Sequence, residues 1–286
     1  MSKLRHLMVA NTFILSQLVF ASLEDNNYYP QYLTENIQTY SKDDVLKKKL
    51  REVISFYHEV KDGQKDWIHA ATCPTGASCI RQRSDINYKE ARRHLFGDIH
   101  LEQDERGNYF VKDKYCEIEF NKTHKVGPKR IPNSKYINCE HTWPQSRFNT
   151  GYSKSLQKND LHHLYPVKSN ANSVRSNIIF GEVIGKDLGP NCTVSRRGVM
   201  DYPGSKAKAF EPPKNHRGDV ARAIFYFSVR YDSPVTESEE FYLRRWHKED
   251  PISQEERIRN DKIFAIQKNR NPFVDDETLV DQIKDF

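Results

Sequence analysis

Three blocks decide how this chain is read: Asn138-Cys139-Glu140-His141-Thr142-Trp143-Pro144-Gln145-Ser146, then Asp160-Leu161-His162-His163-Leu164-Tyr165-Pro166, then Asn170-Ala171-Asn172-Ser173-Val174-Arg175-Ser176-Asn177. Ile137 to His141 reads as a short extended segment ending in Trp143-Pro144, and Leu161 to Val167 as a second short apolar segment. Ser169 to Ser176 lacks proline and favours a helix start, with Ser169 or Asn170 as its cap. The order is strand, loop, strand, helix, which can bring side chains some thirty residues apart into one small volume.

Outward from this stretch the pattern is mixed. Upstream, Leu46, Leu50, Val53, Ile54 and Tyr57 recur at helical spacing, and a second helix is predicted over Tyr88 to His94 with Ala91 and Leu95 turned inward. Tyr109 to Phe120 alternates as a strand or hairpin after the Gly107-Asn108 turn, and the proline- and glycine-rich run from Lys125 to Lys135 is loop. Downstream, Val220, Ala221, Ile224, Phe225, Ser228 and Val229 make one buried helical face, and Glu255 to Gln267 another. Residues 22–40, polar and rich in Tyr and Asn, read as a flexible leader. No repeat and no linker divides the chain beyond them. The expectation is a single, helix-rich α+β domain over residues 41–286.

Lys3, Arg5 and the mostly apolar Leu7 to Phe20 resemble an export signal ending at Ala21. Asn11, Thr12, Ser16 and Gln17 make that stretch too short and polar to span a bilayer. The chain has 45 basic and 39 acidic residues; without residues 1–21 the balance is 43 against 39, a mild positive excess compatible with a polyanionic substrate. Export permits disulfides. Of the five cysteines, Cys73 and Cys79 can staple the Pro74-Thr75-Gly76 turn, and at most two of Cys116, Cys139 and Cys192 can pair. A bridge from Cys139, with Cys116 as partner, is one arrangement. With no Cys-x-x-Cys pair, a zinc ribbon is excluded.

Phosphodiester hydrolysis needs a base to deprotonate water and a positive charge to neutralise the phosphate and the departing oxygen. A histidine suits the first task, and a hard divalent cation held by a carboxylate and an amide oxygen suits the second. Glu140 and His141 are adjacent, so in extended chain they face opposite ways, as a divided site requires. Asn172 can supply the amide. The His162-His163 pair suggests zinc, yet a hydrogen-bonded structural role fits neighbours that face apart. Arg217-Gly218-Asp219 suggests adhesion, but it opens a buried helix where Asp219 suits the positive end of the dipole.

The three blocks together resemble the endonuclease I family, periplasmic or extracellular nucleases with a ββα-metal site in a mixed, helix-rich fold. The likeness continues through Arg217-Gly218-Asp219-Val220-Ala221-Arg222-Ala223, Trp246-His247-Lys248-Glu249-Asp250-Pro251 and Arg270-Asn271-Pro272-Phe273-Val274-Asp275, and spans roughly Leu46 to Asp281. The resemblance implies a periplasmic or secreted, monomeric endonuclease hydrolysing DNA without regard to sequence, with RNA left open. It implies His141 as general base and Glu140 and Asn172 as ligands of one Mg²⁺, for which Mn²⁺ or Ca²⁺ can substitute. Cleavage would leave 5′-phosphate ends. It further implies an arginine at the scissile phosphate, for which Arg147 and Arg175 are the candidates; Arg175 has a second reading, pinned to an internal carboxylate. Two other functions stay in view: an exported nucleic-acid-binding or adhesive protein without catalysis, and a metal hydrolase of another substrate, against which no His-Glu-x-x-His helix is found.

Overall fold

The computed structural model describes residues 22–42 and 45–286, so the export signal expected at 1–21 lies outside the described residues. From Ser22 onward the chain is packed. A 3₁₀ turn at Leu23–Asp25 leads into α1 (Gln31–Thr34) and α2 (Ile37–Lys42), and Leu23, Tyr28, Tyr29 and Leu33 are buried. The loose leader expected over 22–40 is therefore corrected. The Tyr28-Tyr29 pair anchors it: the Tyr29 hydroxyl donates to Asp275 at 2.6 Å and that of Tyr28 to the Val53 carbonyl at 3.4 Å, so both rings are buried with their polar ends satisfied.

In α3 (Leu46–Ser55) the predicted stripe of Leu46, Leu50, Val53 and Ile54 is buried, while Tyr57 opens β1 (Tyr57–Glu59). β2 (Trp67–His69) and β3 (Cys79–Ile80) flank β1 antiparallel, and the Cys73–Cys79 disulfide closes the turn before β3. α4 (Tyr88–His94) starts at a reciprocal Asn87–Glu90 capping box and sends Ala91 and Leu95 into the core. β4 (Glu102–Gln103), β5 (Tyr109–Lys112) and β6 (Glu119–Asn121) form an antiparallel meander, the predicted hairpin being its second half.

The central unit comes next. β7 (Ile137–His141) pairs antiparallel with β8 (Leu164–Lys168), which sets Glu140 opposite Tyr165 and His141 opposite Leu164. The connection carries α5 (Lys154–Asn159), and α6 (Ser169–Arg175) leaves β8 directly. Its cap is Lys168, without a side-chain cap bond, rather than Ser169 or Asn170. The Ser169 hydroxyl is drawn instead to the Ser134 carbonyl, 2.6 Å away.

β9 (Ile179–Phe180), β10 (Val183–Asp187), β11 (Arg196–Met200) and β12 (Lys208–Glu211) then form a sheet in the order β10-β11-β12-β9, with β9 parallel to β12. A Cys116–Cys192 disulfide fastens the loop after β10 to the turn between β5 and β6, and Cys139 is free and buried. The Cys116–Cys139 pairing is thus corrected. Cys139 is turned into the smaller apolar cluster with the Tyr88 hydroxyl beside it, and burial pushes its thiol up to about 12.

α7 (Arg217–Tyr231) runs through the larger core and buries every residue except Asp219, not one face only. Around it lie α3, α8 (Glu237–Glu249), α9 (Gln254–Gln267), α10 (Pro272–Asp275) and α11 (Leu279–Gln282). Its first turn is internal. Arg217 pairs with Glu211 at 2.6 Å and Glu182 at 3.1 Å, and any Cβ at Gly218 would sit 2.0 Å from the Asp250 carbonyl oxygen. The Arg-Gly-Asp tripeptide therefore offers no adhesive loop. Among the described residues, no helix is long and apolar enough to cross a membrane.

Candidate active site

Glu140 and His141 occupy the end of β7, and the pleat sends them to different surroundings. Glu140 is 2 % exposed. Its Oε1 accepts from the Tyr115 hydroxyl at 2.8 Å and lies 3.1 Å from Arg175 Nη1. Burial pushes this carboxyl above its ordinary range, while Arg175 and Tyr115 pull it back. Both contacts use Oε1, so Oε2 has no hydrogen-bond partner among the described residues.

His141 lies among Tyr88, Phe148 and His163. Its Nε2 is 3.0 Å from the Lys158 carbonyl oxygen, which can only accept, so Nε2 carries the proton and Nδ1 keeps its lone pair. Among the described residues the one side-chain hydrogen bond at Nδ1 is from Gln145 Nε2, at 3.5 Å. Burial first, and neighbouring His163 next, hold the imidazole down to about 3, so it is neutral at pH 7.

Asn172 projects from the first turn of α6 onto the strand just before Glu140. Its Nδ2 donates to Asn138 Oδ1 at 2.6 Å and to the Cys139 carbonyl at 3.3 Å. Both amide hydrogens are thereby committed, and Oδ1 accepts nothing from the described residues. No group of three or more His, Cys, Asp or Glu side chains is placed to hold an ion among the described residues. One carboxylate oxygen and one amide oxygen form a hard, sparse donor set. Such a set suits a cation that keeps most of its waters.

The two candidate arginines are both committed elsewhere. Arg175 is buried, and besides Glu140 its guanidinium binds the carbonyls of His141 (3.2 Å), Thr142 (2.6 Å) and Ser176 (3.2 Å). It braces the end of β7, and the expectation of a substrate contact there is corrected in favour of the internal reading: at 1 % exposure it cannot meet a phosphate. Arg147 lies 4.6 Å from the Trp143 ring centroid and pairs with Glu239 at 3.2 Å, leaving about a quarter of its side chain exposed.

Both histidines of the pair are structural. They sit in a 3₁₀ turn before β8, where His162 Nε2 meets the Asn269 carbonyl at 3.1 Å and His163 Nε2 the Gln157 carbonyl at 2.7 Å. Asp160 caps that turn and collects Tyr226 (2.8 Å), Tyr231 (2.6 Å), Gln82 (3.0 Å) and Gln267 (2.8 Å), which explains an acid at this point of the block. Sequence reasoning missed Tyr115, Asn138 and the Lys158 carbonyl. Asn138 stands two residues before Glu140 and on its face of the strand, a signal that was available; the other two left none.

The chain is similar to characterised nucleases. The chain is 34 % identical over 164 residues to an extracellular ribonuclease of Bacillus subtilis (strain 168), covering 51 % of this chain and 53 % of that protein. It is 33 % identical over 121 residues to endonuclease-1 of Buchnera aphidicola subsp. Acyrthosiphon pisum (strain APS), 41 % of this chain and 44 % of the relative. To an extracellular deoxyribonuclease of Aeromonas hydrophila it is 30 % identical over 132 residues, 45 % and 53 % respectively. The chain spans about half the length of these curated relatives. The endonuclease I family model matches residues 75–278, a span that holds Glu140, His141 and Asn172 with every element that positions them, and on that match the chain belongs to the endonuclease I family.

Proposed function

We propose that this protein is a metal-dependent, sequence-non-specific endonuclease that hydrolyses phosphodiester bonds of DNA, with RNA as a second substrate. The observation that supports it most is the geometry of the His141 ring, fixed through Nε2 by a main-chain carbonyl, with Nδ1 left to accept a proton. In this reading water gives a proton to Nδ1 and its oxygen bonds to phosphorus. The bond from phosphorus to the 3′ oxygen breaks, and that oxygen leaves as a hydroxyl after taking a proton from solvent, so the phosphate stays on the 5′ end.

Glu140 Oε2 and Asn172 Oδ1 are the free oxygens that would hold one Mg²⁺, with Mn²⁺ or Ca²⁺ as substitutes. When bound, the ion supplies positive charge to the phosphate and to the departing oxygen. Tyr115 and Arg175 hold the carboxylate in place, and Asn138 turns the Asn172 amide so that its oxygen, not its nitrogen, is the outward atom. Sequence blindness follows if recognition stops at the phosphates. The names of the relatives, extracellular and periplasmic nucleases, support a periplasmic or secreted location. A monomer is the proposed state.

The test is incubation of purified protein with supercoiled plasmid, and separately with RNA, with Mg²⁺ and with EDTA. The expected result is relaxation and degradation in Mg²⁺, none in EDTA, and a rate lower by ~10²–10⁴ in His141→Ala. Undiminished cleavage by that variant would remove His141 from its role.

A further inference from the structure

Two cations beside His141 have no counter-charge among the described residues. Arg92, one helical turn after Tyr88 on α4, lies 4.7 Å from the Tyr88 ring centroid, and Lys158 Nζ of α5 lies 4.3 Å from the same centroid. The Tyr88 ring in turn stacks on His141, with centroids 5.8 Å apart. Arg147 and Arg175 are matched by Glu239 and Glu140, but neither Arg92 nor Lys158 has a carboxylate within ion-pair reach among the described residues. Among the described residues the Arg92 guanidinium makes no hydrogen bond or ion pair, and its Nε is buried without an acceptor.

We propose that Arg92 and Lys158, shelved on Tyr88, form a phosphate-binding subsite for the polynucleotide strand on the imidazole side of the scissile bond. The proposal rests on the nuclease reading above. Two like charges held against one ring are mutually repulsive; the ring's π-face offsets part of that, and a polyanion would offset the rest. With two cations and an imidazole against the Tyr88 ring, the charge gathered there favours a phosphate over a stacked base as the group bound. A contact of that kind adds affinity and register with no preference for sequence. Lys158 would then serve the site twice, by its carbonyl on the base and by its ammonium on the substrate.

The experiment measures binding of a fluorescent duplex by anisotropy in EDTA across a salt series, beside plasmid cleavage in Mg²⁺. Arg92→Gln and Lys158→Gln are each expected to lower the slope of log affinity against log salt by about 0.9, to weaken binding by roughly three- to tenfold, and to raise KM more than they lower kcat. Arg92→Lys should restore the slope. Slopes unchanged in both glutamine variants, with cleavage by the unaltered protein intact, would overturn the subsite and leave the nuclease reading standing. Slopes lowered in a protein that does not cut would keep the subsite as a nucleic-acid contact and remove the nuclease reading. Should Arg92→Gln fail to fold, Lys158→Gln carries the test alone, since its ammonium makes no hydrogen bond or ion pair among the described residues.

Discussion

Removing Arg175 should destabilise the protein more than any other change at the site. Its guanidinium neutralises Glu140, which is 2 % exposed, and donates to three main-chain carbonyls at the ends of β7 and α6. Arg175→Ala would leave a buried carboxylate unpaired, which costs about 3–5 kcal/mol. For a chain of this size each kcal/mol moves Tm by roughly 2–4 °C, so a fall of about 10 °C is expected. The assay is thermal unfolding followed by circular dichroism, with Glu140→Gln and Glu140→Gln/Arg175→Met measured beside it. The double variant buries no charge and should be more stable than Arg175→Ala, with a coupling of more than about 1 kcal/mol between the positions. Mg²⁺ should recover part of the loss in Arg175→Ala, because an ion at Glu140 replaces the missing charge. An Arg175→Ala protein that melts within about 2 °C of the unaltered one would refute the idea that this pair braces the site.

Three further outcomes are expected from the same geometry. Glu140→Ala and Asn172→Ala should each raise the Mg²⁺ concentration needed for half-maximal cleavage by roughly ten- to a hundredfold, and an unchanged metal titration in either would exclude that residue as a ligand. His162, His163 and His247 are each held down to about 4 by burial, and His141 to about 3. The unfolded chain binds protons below pH 6.5 and the fold does not until about 4 or lower, so stability is whole above 6.5 and falls with pH through that window. Glu256, pushed up to about 7 by burial, opposes this with one proton against four imidazoles, so the fold should be less stable at pH 5 than at pH 7; urea midpoints equal at the two pH values would contradict it. Opening the Cys116–Cys192 loop by Cys192→Ser, 76 residues in separation, should cost about 4 kcal/mol by chain entropy, against about 2 kcal/mol for the six-residue Cys73–Cys79 loop, read from denaturation midpoints.

The elements legible in the sequence were those with one apolar stripe or a strong boundary. α3, α4, β7 and β8 announced themselves through Leu50 and Ile54, the inward Ala91 and Leu95, and the short runs on either side of Trp143-Pro144. The sheet of β9 to β12 did not. In β10 only Val183 is buried and the other four residues are exposed, so no apolar alternation is written there. α8 escaped because Glu239 and Glu240 point inward, where Glu239 meets Arg147 and the Phe180 amide, and acids on the inner face interrupt the stripe. At the site, Glu140, His141 and Asn172 could be named from residue type and spacing. The atoms that orient them could not, because a carbonyl oxygen belongs to every residue alike and Tyr115 arrives from the turn between β5 and β6, 25 residues before the carboxylate it meets.

That the imidazole is steered by the main chain of residue 158 separates heredity of chemistry from heredity of taste. Whatever amino acid evolution places at that position, the carbonyl remains, and the His141 ring keeps its orientation. On the proposed reading, the side chain there can change, exchanging a cation for a neutral or larger group and so altering which polymers are held, while the base stays where it is.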